Sequence, residues 1–175
     1  VVLALPAGEE EEQVRIISRR EWGARKPKDR TYQDPRSVRG LFIHYSESPG
    51  GQRSLQEQIK AVQGIQGFHM NVRGWSDIAY NYLVINSRRP RVFYGRGARV
   101  VPAAQAGHNT NTIAVCVVMR ADEKLTWQTK LQLRRLIWQL RTKTVRRNVP
   151  VRPHSAVTET SCPGDQLRAF IKKHY

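Results

Sequence analysis

TIAVCVVM, residues 112–119, is an unbroken apolar run rich in β-branched side chains. A run of that length and composition predicts a central strand. Working outward, LFIH (41–44) is a second apolar run, stopped by Ser48-Pro49-Gly50-Gly51, and predicts a buried strand with His44 at its C-terminal end. IAYNYLVIN (78–86) alternates polar with apolar residues and predicts a third strand. Residues 91–94 predict a short fourth, paired with it across the Arg88-Arg89-Pro90 turn. Val14 to Ile17 is strand-like or loop, and the polar stretch 18–37, with Pro27 and Pro35, is expected to run over the surface.

Three helices separate these runs. Ser54 with Glu57 three residues on is a capping-box pattern, and Leu55, Ile59, Val62, Ile65 and His69 recur at helical spacing, predicting a helix over 54–70. Residues 125–145 carry an apolar stripe of Leu133, Leu136, Ile137 and Leu140, with arginine and lysine over the remaining surface. A last helix is expected over 165–172, with Leu167, Phe170 and Ile171 facing inward. Strands mixed with helices indicate one α/β domain with a central mixed sheet of about five strands flanked by helices.

At 175 residues the chain is long enough for one well-packed domain and short for two. Charged residues make up 25%, hydrophobic residues 39%, and no stretch approaches the roughly 20 apolar residues of a membrane-spanning helix. The chain begins with Val1, and residues 1–13 are expected to be a linker or the trimmed end of an upstream segment, with the domain occupying 14–175. Thirty Lys+Arg against 14 Asp+Glu give a formal charge of +16, which attracts polyanions. No motif of an RNA- or DNA-binding module is present, so nucleic acid is not the expected partner. Anionic wall polymers or lipopolysaccharide fit the charge better.

Cys116 and Cys162 are the only cysteines, which excludes a disulfide-dense scaffold. Cys116 lies inside the central apolar run and suits a buried structural thiol. Cys162 opens Cys-Pro-Gly, a turn that aims a thiolate at a fixed point. His44 at a strand end, His154 and Cys162 make a possible three-ligand zinc site with a fourth position left for water, which suits hydrolysis of an amide or ester.

Six stretches carry a resemblance to a known family: IISRREWGA (16–24), LFIHYSES (41–48), IQGFHMNVRGWSDIAYNYLV (65–84), RVFYGRG (91–97), GHNTNTIAV (107–115) and HSAVTETSCPGDQL (154–167). In this order they resemble the type 2 N-acetylmuramoyl-L-alanine amidases. That family includes phage T7 lysozyme-like enzymes and animal peptidoglycan recognition proteins. GWSDIAYNYLV is the most specific stretch. The resemblance implies a monomeric zinc-dependent hydrolase that cleaves the amide between N-acetylmuramic acid and L-alanine of the peptidoglycan stem peptide. It implies action on the cell wall, as a secreted, periplasmic or phage-released antibacterial enzyme such as an endolysin. The alternatives are a non-catalytic peptidoglycan-binding module and a cationic membrane-disrupting protein.

The resemblance implies Zn2+ held by His44, His154 and Cys162. Family members that only recognise peptidoglycan generally lack this cysteine, so Cys162 favours an enzyme. Tyr80 matches the catalytic tyrosine, and Thr160 stands where phage enzymes carry lysine and animal amidases threonine. Tyr45, Ser46, His69, Arg73, Gly74, Trp75 and Asn109 match positions that line the substrate groove. Gly74-Trp75 resembles the version associated with diaminopimelate in the stem peptide. The chain departs from the family pattern at Pro153, Ser155, Ala156, Ala104 and Ala98. The cysteine pair common after the first zinc histidine of animal recognition proteins is absent, which favours a bacterial or phage source.

Overall fold

The computed structural model describes residues 12–175. Residues 1–11, most of the expected linker, lie outside the described residues. Glu12 and Gln13 contact the second long helix, through Arg135 (2.6 Å) and Lys143 (2.7 Å). Val14 is buried.

The strands are β1 (Ile16–Ile17), β2 (Gly40–Tyr45), β3 (Tyr82–Ile85), β4 (Val92–Tyr94), β5 (Thr112–Val118) and β6 (Val151–Pro153). They form one six-stranded sheet in the order β1-β4-β3-β5-β2-β6, antiparallel only between β3 and β4. The sheet is mixed, as expected, with one strand more than the expected five. The extra one is β6, whose three residues carry no alternation long enough to read. The 78–86 run pairs in the sheet only from Tyr82; just before it, the Asn81 side chain binds Gly97 O, Val100 O and the Ala114 N–H.

β5 is buried at every position, as its composition predicts. Helix α1 (Leu55–Gly67) begins at the predicted capping box: the Ser54 hydroxyl accepts from Glu57 N and the Glu57 carboxylate from Ser54 N. It packs on one face of the sheet with Leu83, Ile85, Phe93, Cys116 and Val118. The helix expected over 125–145 is α2 (Trp127–Gln139) plus a π turn at Leu140–Thr144. Helices α2 and α3 (Asp165–His174) cover the other face, where Leu133, Leu136, Ile137, Leu167 and Phe170 meet Leu41, Ile43, Val115 and Val117. Each such buried aliphatic contributes about 2 kcal/mol. Among the described residues no helix is long and apolar enough to cross a membrane.

The polar stretch 18–37 is not wholly superficial. Trp22 is fully buried, with its indole N–H donating to Tyr94 O at 2.9 Å. In the sequence Trp22 is an aromatic among charges; the carbonyl that satisfies its N–H comes from 72 residues away.

Candidate metal centre

Strand alternation puts His44 on the α1 face, in register with Cys116 of β5. β6 pairs parallel to β2 on the outer side, with Pro153 opposite Ile43, so the chain leaving β6 arrives beside His44. His154 opens the short 3-10 turn that follows. The next loop brings back Cys162. Its carbonyl accepts from Ser155 N at 3.2 Å, its own N–H donates to Thr160 Oγ1 at 3.2 Å, and Ser161 Oγ lies 2.9 Å from the Tyr45 hydroxyl. The Cys162–Pro163 peptide is cis.

Three ligand atoms therefore converge. One from each of His44, His154 and Cys162 lies within 4.8 Å of the others. Cys162 Sγ is 3.6 Å from His44 Nδ1. A tetrahedral zinc with ordinary bond lengths separates a nitrogen and a sulfur ligand by about 3.5 Å.

Hydrogen bonds fix which nitrogen of His44 is free. Gln105 Nε2 donates to Thr112 Oγ1 at 2.7 Å, so its Oε1 faces His44 Nε2, at 2.9 Å, as an acceptor. The proton must then sit on Nε2, leaving the Nδ1 lone pair aimed at Cys162. His154 Nδ1 is buried with no hydrogen-bond partner. A buried nitrogen without a partner is costly, and a metal ion removes that cost. Two neutral imidazoles and one thiolate are a zinc donor set, so the residues present fit zinc.

The electrostatics agree. Burial, with neighbouring His154, pushes His44 down to about 3, and burial also lowers His154. Both imidazoles are neutral, as ligands must be. Burial pushes the Cys162 thiol up to about 11, so metal uptake at neutral pH must displace its proton.

Tyr80 lies beside the three ligands, its ring centroid 5.6 Å from that of His44 and 5.6 Å from that of His69. Burial, then the nearby Cys116 and Cys162, hold its phenol well above the usual tyrosine range, so it is a hydrogen-bond donor throughout the physiological range. The backbone around it is clamped. Gly95 admits no side chain, because a Cβ there would meet Tyr80 O at 2.2 Å. Arg96 Nε donates to Ile78 O at 2.6 Å, and buried Asp77 accepts from Arg19 at 2.9 Å and Gln66 Nε2 at 2.8 Å. Thr160 is partly buried two residues before Cys162. Its oxygen is occupied by Cys162 N, which leaves its O–H free to donate.

The other sequence-predicted site residues divide into two groups. His69, Arg73, Gly74 and Trp75 gather at the end of α1, where a π turn spans Phe68–Val72. His69 is buried, its Nδ1 accepting from Ala79 N at 3.0 Å, its ring 4.8 Å from Trp75. Burial, Arg96 and Arg73 push it down to about 4. The exposed Arg73 guanidinium lies over the Phe68 ring (5.5 Å) and the Trp75 ring (5.8 Å), and Gly74 has φ +70° with open space around it. Tyr45, Ser46 and Asn109 instead bond within the scaffold. Tyr45 points to the α2/α3 core and holds the Cys162 loop through Ser161. Ser46 Oγ accepts from Ser48 Oγ at 2.7 Å. Asn109 Oδ1 accepts from the N–H groups of Ala104 and Gln105, both at 3.0 Å, shaping the loop that presents Gln105.

Gln105, which fixes the His44 tautomer, carries no signal in the sequence: it is one amide in the patternless stretch PAAQAG (102–107). Asp77 and Asn81 sit inside the most specific stretch, and their role in holding Tyr80 appears only with the contacts.

A family model described as N-acetylmuramoyl-L-alanine amidase matches residues 34–165. Peptidoglycan-recognition protein LB of Drosophila melanogaster is 27% identical over 90% of this chain and 67% of its own length. Its solved structure superposes with a TM-score of 0.84 at 28% identity, over 93% of this chain and 95% of that one. The endolysin of Escherichia phage T7 is 26% identical over 82% of this chain and 91% of its length. A structure of peptidoglycan recognition protein LE in complex with tracheal cytotoxin, a monomeric diaminopimelic acid-type peptidoglycan, matches with a TM-score of 0.81 at 26% identity, over 90% and 92% of the two chains. The human N-acetylmuramoyl-L-alanine amidase is 26% identical over 90% of this chain, which spans only 28% of that protein. With the model matching most of the chain over the residues that carry His44, His154 and Cys162, the protein belongs to the N-acetylmuramoyl-L-alanine amidase family.

Proposed function

We propose that this protein is a zinc-dependent amidase that hydrolyses the bond between the lactyl group of N-acetylmuramic acid and L-alanine in peptidoglycan. The observation that carries this reading is the convergence of His44, His154 and Cys162, with His154 Nδ1 buried and unpartnered. A zinc ion held by those three supplies Lewis-acid polarisation of the scissile carbonyl and brings hydrolysis within reach of neutral pH. Tyr80 donates its phenolic hydrogen to the oxygen that gains charge as the amide is attacked. Thr160 donates to it as well, with its free hydroxyl hydrogen. Glu47, the one carboxylate near His44 in the chain, turns outward and accepts the Ala121 N–H at 2.7 Å, so it does not serve as the base.

The stem peptide lies along the His69, Arg73, Gly74 and Trp75 rim. The Arg73 guanidinium is held between two aromatic rings and meets a stem-peptide carboxylate. Relatives that act on or bind peptidoglycan support placing this protein at the cell wall.

The test is metal analysis of purified protein together with mass spectrometry of muropeptide digests from diaminopimelate-type and lysine-type walls. One equivalent of zinc and release of free stem peptide, faster from the diaminopimelate wall, is the expected result. Protein that carries no zinc and binds muropeptides without cleaving them would make it a recognition module instead.

A further inference from the structure

A second concavity, of about 420 Å³, opens on the same face of the sheet. Its floor is the start of β2, where the Phe42 ring folds back over Gly40; a Cβ on Gly40 would meet that ring at 3.0 Å. Phe42 and Gly40 lie two and four residues before His44 on one side of the strand, so the floor reaches about 13 Å from the metal ligand. Gly107, His108, Thr110 and Asn111 form one wall and Arg152 of β6, in register with Phe42, stands at the other. The wall is wired to the metal centre, since Thr112 both lines the cavity and bonds Gln105, the partner of His44.

The chemistry of the lining is one-sided. Arg39, Arg152 and His108 surround the opening, and no carboxylate lines it. Among the described residues neither guanidinium has an ion-pair partner, whereas Arg15, Arg19, Arg120, Arg135 and Arg168 each have an acid. Thr110 and Asn111 add polar side chains at the wall. Two exposed arginines without an acid partner, lining one concavity, suit a phosphate or carboxylate.

Position chooses between them, and here the argument rests on the amidase reading. Tyr80 leads into β3, with His69 and Trp75 packed beside it, on the β3 side of His44; the cavity lies along β2, between the loop that enters β5 and Arg152 of β6, toward the N-terminal end of the strand. If the stem peptide follows the aromatic rim, the sugar occupies the other arm. That sugar has no free carboxylate of its own, because its lactyl carboxyl is tied up in the scissile amide. We propose that the Arg39–Arg152–His108 cavity is a subsite for a phosphate ester carried on the sugar side of the wall substrate, as in walls whose glycan bears a phosphodiester polymer.

The test compares walls bearing such a polymer with the same walls stripped of it by hydrofluoric acid. The readout is the ratio of initial cleavage rates, for the parent and for R39Q/R152Q. The parent should favour the polymer-bearing wall several-fold, and the double variant should bring the ratio close to one. A ratio that the substitutions leave unchanged, or a parent that prefers the stripped wall, overturns the proposal. In parallel, inorganic phosphate titrated into the metal-loaded protein should give saturable NMR shifts at the amides of residues 107–112, absent from R39Q/R152Q. An equal response to acetate, or no response at those amides, overturns it. Should neither wall be cleaved at all, the amidase reading falls, and the phosphate titration still decides the cavity.

Discussion

On the α2/α3 side of the sheet, Leu41, Ile43, Ile113, Val115 and Val117 meet Leu133, Leu136, Ile137, Leu140 and Phe170 in a continuous apolar layer. On the α1 side the apolar cluster is smaller, and buried polar groups share the space: His44, Gln66, His69, Asp77 and Gln105. The first face loses free energy only through volume and shape. The second is held by hydrogen bonds that each need a particular partner, because an unpaired polar group in that setting costs about 1–3 kcal/mol. The apolar layer and the polar groups around His44 thus lie on opposite sides of one sheet, with Cys162 counted in the apolar cluster where the two meet, and the two sides should fail separately.

The largest break is at the candidate metal centre. Cys162→Ser should abolish zinc retention and lower stem-peptide release by at least about 1,000-fold, while circular dichroism and the secondary structure stay as in the parent. Tyr80→Phe is the next step down, with zinc content kept and kcat reduced about 100- to 1,000-fold, because one hydrogen-bond donor to the developing charge is gone. On the other face, Leu136→Ala should cost about 3 kcal/mol in denaturant unfolding, with the specific activity and zinc stoichiometry of the folded fraction intact. If Leu136→Ala instead removed zinc, the two faces would be coupled and the separation would be wrong.

Gln105→Leu probes the polar side at one remove from the ligands. By freeing the His44 tautomer it should weaken zinc about 10- to 100-fold in competition with a chelator, with little change in unfolding of the metal-free protein. The mildest lever is acid. His69 is held at about 4 in the fold against 6.5 when unfolded, so below 6.5 the unfolded chain binds more protons. Stability supplied by neutral His69 is complete above pH 6.5 and is lost as pH falls through 4, by about 3 kcal/mol. His69→Gln should flatten that part of the pH–stability curve of the metal-free protein.

The elements built on long patterns were legible. The β5 run, the capping box of α1 and the stripe of α2 each repeat a signal over several residues, and tertiary packing did not override them. β6 was not legible, since three residues carry no period. Trp22 was not, since its burial depends on a carbonyl far along the chain. Among site residues, the ligand types of His44, His154 and Cys162 suggested zinc. The family resemblance put Tyr45 and Asn109 among groove positions, and their side-chain oxygens are engaged with Ser161 and with the loop that carries Gln105.

The sequence by itself determined the α/β class, the helices and strands with strong periodicity, the excess of positive charge and the three residue types able to hold a metal. Those follow from local propensity and composition, which travel with the chain in any conformation. Only the tertiary structure decided that His44 presents Nδ1, that His154 keeps a buried nitrogen without a partner, and that Arg39 and Arg152 share one concavity. Each of those is a relation between strands that meet through the order of the sheet, and no spacing along the chain encodes a distance across it.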